Sequence, residues 1–224
     1  MAYTLQPVDR VEIHTLQDNY IDLTSGDSSD MVRRAVPVRD GEIRNSILAE
    51  HGFSALVTVG DDDPGDILFD FGFSSHGAAF NADALGLDLS RIAYLVLSHG
   101  HMDHTGGLEA LADRTGKKGM ALIAHPVVFR HPRYIKPNED LKLFFPAFTT
   151  ERLDALGITP VLSKEPYPFM ADRSIFLGEV PRESDFEKGM ANVFFEADGE
   201  EKKDGIEDDS AIVFHLENKG LIIL

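Results

Sequence analysis

The residues best suited to chemistry lie in one short segment, SHGHMDHTGG, at positions 98–107. Three histidines and one aspartate fall within six positions there: His99, His101, Asp103 and His104. Neutral imidazole and carboxylate oxygen are the ligands expected of zinc and of other borderline divalent metals. The apolar run LVLS ends at this segment, so we expect a tight loop directly after a buried strand. The sequence therefore predicts a metal site in this loop.

The spacing within the loop predicts how the ligands divide. His99 and His101 alternate along the chain, so both rings are expected on one side, where they can share one ion. Asp103 and His104 fall on the next turn of the loop and are predicted to hold a second ion. A lone histidine is more often a surface or satisfied core residue, but this grouping favours ligation. Three glycines would let the backbone bend tightly and approach the metals: Gly100, Gly106 and Gly107.

Strand-like and helical segments alternate around the loop. The runs rich in β-branched and aromatic residues predict strands at 11–16, 54–59, 66–72, 91–98 and 120–125. Helical spacing is found at 78–87 and 107–119. Two apolar runs around Asn-Lys-Gly, at 211–216 and 221–224, predict a β-hairpin. Strands interleaved with helices indicate an α/β layered fold, and a length of 224 residues suits one domain, 1–224.

Two segments and the end of the chain carry separate expectations. Residues 126–157 are mostly helical in pattern and contain four prolines, which predicts a helical cap-like insert. Residues 196–209 are almost continuously charged, which predicts a mobile surface loop. The sequence stops at Leu224 on four apolar residues typical of a buried strand, so we expect the natural protein to continue past it.

The overall composition limits the classes of binding partner that we expect. Lys and Arg total 21 and Asp and Glu total 38, which gives a net charge of −17. Nucleic acid is an unexpected partner because phosphate binding needs a basic face, and an acidic surface repels anionic membranes. The absence of cysteine excludes a thiolate zinc site. The N-terminal residues lack the pattern of a signal peptide, so a cytoplasmic protein acting on a small molecule is expected.

The motif H-x-H-x-D-H after an apolar strand resembles the metal loop of the metallo-β-lactamase superfamily. Other segments are similar to one branch, which includes the archaeal dihydropterin-methyl-ribofuranosylaminobenzene phosphate synthases and bacterial metal-dependent hydrolases. These segments are LQDN (16–19), AEHGFSAL (49–56), ILFDFG (67–72), AHP (124–126), VPRESDFE (180–187) and DDSAIVF (208–214). The resemblance implies an αββα sandwich with two divalent metals at one edge. Zinc is the expected metal, with iron and manganese as alternatives.

The resemblance also implies roles for individual residues. His99 and His101 would ligate the first metal, and Asp103 and His104 the second. Asp103 would also act as the catalytic proton carrier. Asp70, at the end of the run LFD, would support the metal loop from behind by orienting a ligand histidine or tying down loop amides. Without the resemblance, a simple turn residue is an equally good interpretation of Asp70.

The family pattern places a further histidine, a bridging aspartate and usually a last histidine beyond Leu224. These 224 residues therefore supply roughly two ligands per metal, and partial or no metal occupancy is expected for them. Asp208 and Asp209 are expected in a solvated loop rather than at the bridging position.

Four residues are candidates for substrate binding. Arg133 and Lys136 belong to a local basic cluster and would meet an anionic group, although a solvated helix end is the competing interpretation. Arg182 is a second candidate through the branch resemblance, and His51 would face the site unless it ends a helix. The chemistry expected is hydrolysis of an ester, lactone or phosphoester by a metal-activated water.

Two alternatives stay open at this point. The first is a dihydropterin-condensing synthase of the same fold. The second is a non-catalytic metal-binding or interaction protein. An uncovered edge at LIIL would also favour self-association into a homo-oligomer.

Overall fold

The architecture is that of a computed structural model, which describes residues 3–22, 25–34, 38–43, 46–61 and 63–224. Its largest sheet has six strands in the order β1-β4-β5-β6-β7-β10. These strands are β1 (Val11–Gln17), β4 (Ser54–Val59), β5 (Gly65–Phe69), β6 (Ile92–Val96), β7 (Ala121–Ala124) and β10 (Thr159–Leu162). A small ribbon joins β2 (Val38–Arg39) to β3 (Glu42–Ile43).

The pairing of the large sheet brings several strand ends to one edge. β5, β6, β7 and β10 run parallel to one another, whereas β1 and β4 pair antiparallel. The carboxyl ends of the parallel strands therefore meet at the same edge. In an open α/β sheet, this edge is where ligands usually bind.

Helices cover one face of the large sheet. They are α1 (Gly77–Leu85), α2 (Met102–Thr105), α3 (Leu108–Thr115) and α4 (Thr150–Leu156), with 3₁₀ turns at Leu89–Arg91 and Pro126–Phe129. Leu56, Leu68 and Leu95 point into the helical side, where Leu108 and Leu111 of α3 belong to the same buried cluster. The alternate strand residues point the other way, so both faces are buried and the strands show continuous apolar runs.

A second sheet packs on the opposite face. Its order is β11-β12-β15-β16, with β11 (Tyr167–Phe169), β12 (Ser174–Phe176), β15 (Ile212–Leu216) and β16 (Gly220–Ile223). Val57 and Ile67 of the large sheet form one buried cluster with Phe176 and Phe214 of this sheet. The layered α/β architecture and the predicted hairpin of β15 and β16 are both confirmed.

The third sheet differs from the sequence-based expectations. It has the order β14-β13-β8-β9, with β8 (Arg133–Asn138), β9 (Leu141–Phe144), β13 (Val193–Ala197) and β14 (Glu200–Lys203). The segment 126–157 is therefore a β-hairpin at its centre and helical only at its ends, because β8 pairs with β13, some 60 positions away. Residues 196–209 are not an open loop either, since they contain β14 and two fully buried aspartates, Asp204 and Asp208.

Among the residues that the structure describes, no helix has both the length and the apolar character needed to cross a membrane.

The packing of β6 leads to a direct stability prediction. Leu95 is fully buried between the sheet and its helices, so Leu95→Ala should lower the free energy of unfolding by about 2–5 kcal/mol. The matched control is Leu143→Ala in β9, where the side chain is 47% exposed and the expected change is within about 0.5 kcal/mol. Urea denaturation of both variants measures the difference, and equal losses would contradict this assignment of the core.

Candidate metal centre

The predicted metal loop lies at the edge where the parallel strands end. β6 finishes at Val96, and Leu97 still donates its N–H to Ile123 of β7. His99, Gly100 and His101 then cross the sheet edge, and α2 begins at Met102. The histidines that follow β6 therefore lie at the same sheet edge as the carboxyl ends of β5 and β7.

Asp70 supports this loop through three hydrogen bonds. Its carboxylate accepts from the Ser98 N–H at 2.7 Å, from the Ser98 hydroxyl at 2.7 Å and from Nδ1–H of His104 at 2.6 Å. The side chain is buried directly after β5, and the backbone adopts a left-handed φ of 57°. The carboxylate therefore fixes both the start of the loop and one of its imidazole rings.

The same network fixes which ring nitrogens are free. Because Nδ1–H of His104 donates to Asp70, Nε2 is the nitrogen that keeps a lone pair for a metal when this ring is neutral. The Ser98 hydroxyl gives its hydrogen to Asp70, so it accepts from Nδ1–H of His99 at 3.1 Å. Nε2 of His99 is left free in the same way.

The donor atoms of the loop lie close together. One ligand atom each from His99, Asp103 and His104 lies within 4.8 Å of the others. The His101 ring stands beside them, with its centroid 4.7 Å from that of His99, and its buried Nε2 has no hydrogen-bond partner in the described chain. An unpartnered buried nitrogen beside a His-Asp-His group fits a divalent cation of the zinc type. These three residues form one group, and the division of the four ligands into two pairs stays a prediction.

Burial and charge set different protonation states for the rings. Burial lowers the pKa of His99 well below its ordinary value, and the neighbouring His104 and His101 act in the same direction. Burial also lowers the pKa of His101, with Arg133 contributing. For His104, burial opposes the charged form, but the Asp70 carboxylate outweighs it and the pKa is raised. Two of the rings are thus held neutral and ready to ligate.

The loop glycines serve close backbone packing. A Cβ on Gly106 would lie 1.6 Å from the Phe73 carbonyl oxygen, and one on Gly107 would lie 2.3 Å from that of Phe71. A Cβ on Gly100 would lie 2.3 Å from the Val128 carbonyl oxygen. These glycines therefore let the loop pack closely against neighbouring chain segments, and the approach of their backbone to the metals stays a prediction.

The segment that carries His51 packs on the other side of the loop. Phe53 N–H donates to the Asp103 carbonyl at 3.3 Å, and a Cβ on Gly52 would collide with that same oxygen at 2.1 Å. Nε2 of His51 lies 3.2 Å from Oδ2 of Asp103, and the His51 side chain is 71% exposed. The Gln17 amide anchors the segment by donating to the His51 carbonyl at 3.0 Å. His51 therefore lies at the site, in contact with Asp103.

Arg133 does not reach the site as a free cation. Its guanidinium is 3% exposed and donates to both carboxylate oxygens of Asp208, at 2.7 and 2.9 Å, while Nε lies 2.7 Å from Asp204. Asp208 in turn accepts the Gly100 N–H at 2.8 Å. Burial would raise the pKa of Asp208, but Arg133 outweighs it and holds the pKa far below its usual range. Asp208 was expected in a solvated loop; the ion pair explains why it is fully buried.

The other two predicted substrate residues also form ion pairs, and one of their partners, Asp209, lines the cavity beside the metal loop. Lys136 pairs with Glu201 at 3.1 Å and lies over the ring of Phe194. Arg182 pairs with Asp209 at 2.8 Å and donates to a backbone carbonyl. Neither side chain lines the cavity beside the metal loop.

That cavity measures about 340 Å³ and opens directly onto the ligands. His51, His99, His101 and Asp103 form one side of it. Apolar side chains make up most of the rest: Met102, Ile135, Phe145, Met190 and Ile206. Ile135 lies in β8 and Phe145 directly follows β9, so the third sheet and the residue after it supply a wall of the site. Sequence reasoning missed Ser98, and it did not predict the strands β8 and β9 beside which this wall is formed.

Comparison with known proteins agrees with the family resemblance of the metal loop. Residues 49–188 match the model of the metallo-beta-lactamase superfamily. The whole chain is 28% identical to 7,8-dihydropterin-6-methyl-4-(beta-D-ribofuranosyl)-aminobenzene-5'-phosphate synthase of Methanocaldococcus jannaschii and spans 70% of it. An uncharacterized protein of the same organism is 31% identical over 82% of this chain and 65% of its own length.

A solved structure shows the same fold. It is described as a metal-dependent hydrolase of the beta-lactamase superfamily, and it superposes with a TM-score of 0.63 at 24% identity. The match covers 96% of this chain and 64% of that one. The chain thus spans roughly two thirds of the length of the proteins it resembles.

The packing of the loop predicts that Gly106 tolerates no side chain. Gly106→Ala should lower the free energy of unfolding by about 3 kcal/mol, because the new Cβ meets a backbone carbonyl that cannot rotate away. Gly26→Ala is the matched control, since no atom lies within 4 Å of a Cβ there. Thermal and urea unfolding of the two variants test this, and a Gly106→Ala protein as stable as the control would refute the tight loop packing.

Proposed function

Because the chain belongs to the metallo-beta-lactamase superfamily, we propose that it is an enzyme, a metal-dependent hydrolase that attacks an ester, lactone or phosphoester with a metal-activated water. The observation that carries this proposal is the convergence of His99, Asp103 and His104, whose free donor atoms lie within 4.8 Å of one another. The proposal concerns the activity of the whole protein, because the related proteins are longer than these 224 residues.

Four side chains would hold the metals in this proposal. His99, His101, Asp103 and His104 would bind divalent ions, two in number, with zinc as the expected metal. When bound, the metal would lower the pKa of a water ligand towards neutrality and polarise the scissile carbonyl or phosphoryl group. His99 and His101 would not have to lose a proton in order to bind a metal, because burial already favours their neutral forms.

Asp103 would also handle the proton of the reaction. Its carboxylate faces the cavity and lies 3.2 Å from Nε2 of His51, whose ring is largely exposed. A proton taken up at Asp103 can thus pass to His51 and on to solvent. The apolar wall of Ile135, Phe145 and Met190 would pack against the non-reacting part of the substrate and exclude water from it.

A dihydropterin-condensing synthase is the second candidate. The observation that favours it is the 28% identity to the synthase of Methanocaldococcus jannaschii along the whole chain. Such an enzyme would have to bind a pterin and a phosphate-bearing partner. Saturable binding of a dihydropterin to the intact protein, with no hydrolysis of simple esters, would favour the synthase over the hydrolase.

The hydrolase predicts that metal content and turnover are lost together. Elemental analysis of protein purified without chelator should show bound divalent metal, and a panel of p-nitrophenyl esters, lactones and phosphodiesters should contain a substrate. His104→Ala should reduce bound metal, and Asp103→Asn should lower kcat by about 100-fold or more. His76→Ala is the control, because that ring caps α1 without a side-chain hydrogen bond. Full metal content with no turnover of any substrate class would contradict the hydrolase.

Metal affinity should also depend on pH in a defined direction. A proton and a metal compete for Nε2 of His104, and the pKa of this ring is raised above 6.5 by Asp70. Affinity should therefore be full well above that raised pKa and fall as the pH drops through it, whereas His99 and His101 titrate lower. Asp70→Asn should shift the fall to lower pH. Zinc titrations between about pH 5 and 8 measure this, and an affinity independent of pH across that range would contradict it.

A further inference from the structure

We infer that Asp208 is a positioning residue for the metal loop, held in place by Arg133, and that it sets how tightly the site binds its metal. The inference rests on metal binding in the proposed function, but it is independent of the substrate. Asp208 belongs to the segment after β14 and lies 108 positions from the loop that it contacts. Its role is therefore visible only in the folded chain.

The contact acts at the centre of the ligand set. Oδ2 of Asp208 accepts the N–H of Gly100 at 2.8 Å, and Gly100 stands between the two ligands His99 and His101. A charged acceptor on that amide fixes the peptide plane from which both rings project. Hydrogen bonds that hold a ligand side chain in its binding orientation reduce the conformational entropy that it loses when it binds a metal.

Arg133 keeps the acceptor in one orientation. The guanidinium grips both oxygens of Asp208, at 2.7 and 2.9 Å, so the carboxylate cannot rotate away from Gly100. Arg133 begins β8, the strand that also carries Ile135 of the cavity wall. One buried ion pair thus connects the metal loop to the hairpin that lines the cavity.

A neighbouring carboxylate provides a matched control. Asp204 is equally buried and pairs with the same guanidinium through Nε at 2.7 Å. Its other contacts are to Arg130 and to the Ile206 N–H, and none is to the metal loop. Asp204→Asn and Asp208→Asn therefore remove the same charge from the same arginine, but only the second changes the contact to Gly100.

The experiment compares zinc affinity and amide exchange in the full-length protein. Chelator competition should show zinc binding about 10- to 100-fold weaker for Asp208→Asn, and less than about threefold weaker for Asp204→Asn. Hydrogen exchange of the Gly100 amide in metal-free protein should be faster only in Asp208→Asn. Equal losses of affinity in the two variants would mean a general structural role and would overturn the inference.

A second variant covers a failure of Asp208→Asn to fold. Arg133→Met combined with Asp204→Asn and Asp208→Leu replaces the buried charges by uncharged side chains of similar size, an exchange that buried ion groups often tolerate. This protein should also bind zinc at least about 10-fold more weakly, because no acceptor is left for Gly100. Zinc binding equal to that of the unsubstituted protein would overturn the inference and leave the proposed function intact. Absence of zinc binding by the unsubstituted protein would overturn both.

Discussion

The carboxylate of Asp70 is the contact on which the arrangement of the metal loop depends. It receives hydrogen bonds from Ser98 N–H, Ser98 Oγ and His104 Nδ1, so it joins the end of β5 to both ends of the loop. Each of these donors would be costly to bury without an acceptor. The order of the sheet places Asp70 there, because β5 and β6 are parallel neighbours and their carboxyl ends coincide.

A second group of buried charges holds the loop from the opposite side. Arg133, Asp204 and Asp208 are nearly or fully buried, and such charges are stable only when paired in good geometry. The pairing satisfies the charges, and Oδ2 of Asp208 accepts the Gly100 N–H in addition to one guanidinium N–H. The loop therefore lies between two carboxylates, one from the large sheet and one from the segment after β14. The metal-ligating rings project from a backbone that is fixed on both sides.

Sequence reasoning succeeded where the signal was local. The motif at 99–104 and the strand 91–98 lie next to each other in the chain, and their pattern needs no knowledge of distant contacts. The same approach gave the wrong environment for Arg133 and Asp208. A charged residue in a polar run is predicted to be exposed to solvent unless its partner is known, and here the partner lies 75 positions away. The hairpin of β8 and β9 was likewise hidden, since its pairing with β13 makes it a sheet. Local sequence patterns therefore give the wrong burial for charged residues whose ion-pair partners are distant in the sequence.

The protonation pattern explains how three imidazoles can lie close together in a buried site. Their centroids are 4.1 and 4.7 Å apart along the series His104, His99 and His101, too close for all three to carry charge in a buried site. Burial keeps His99 and His101 neutral, whereas Asp70 stabilises the charged form of His104 alone. The Asp103 carboxylate beside this ring acts in the same direction as Asp70 and also raises the pKa of His104. A divalent ion at this site would compete with a proton mainly at His104, because burial favours the neutral, ligating forms of His99 and His101.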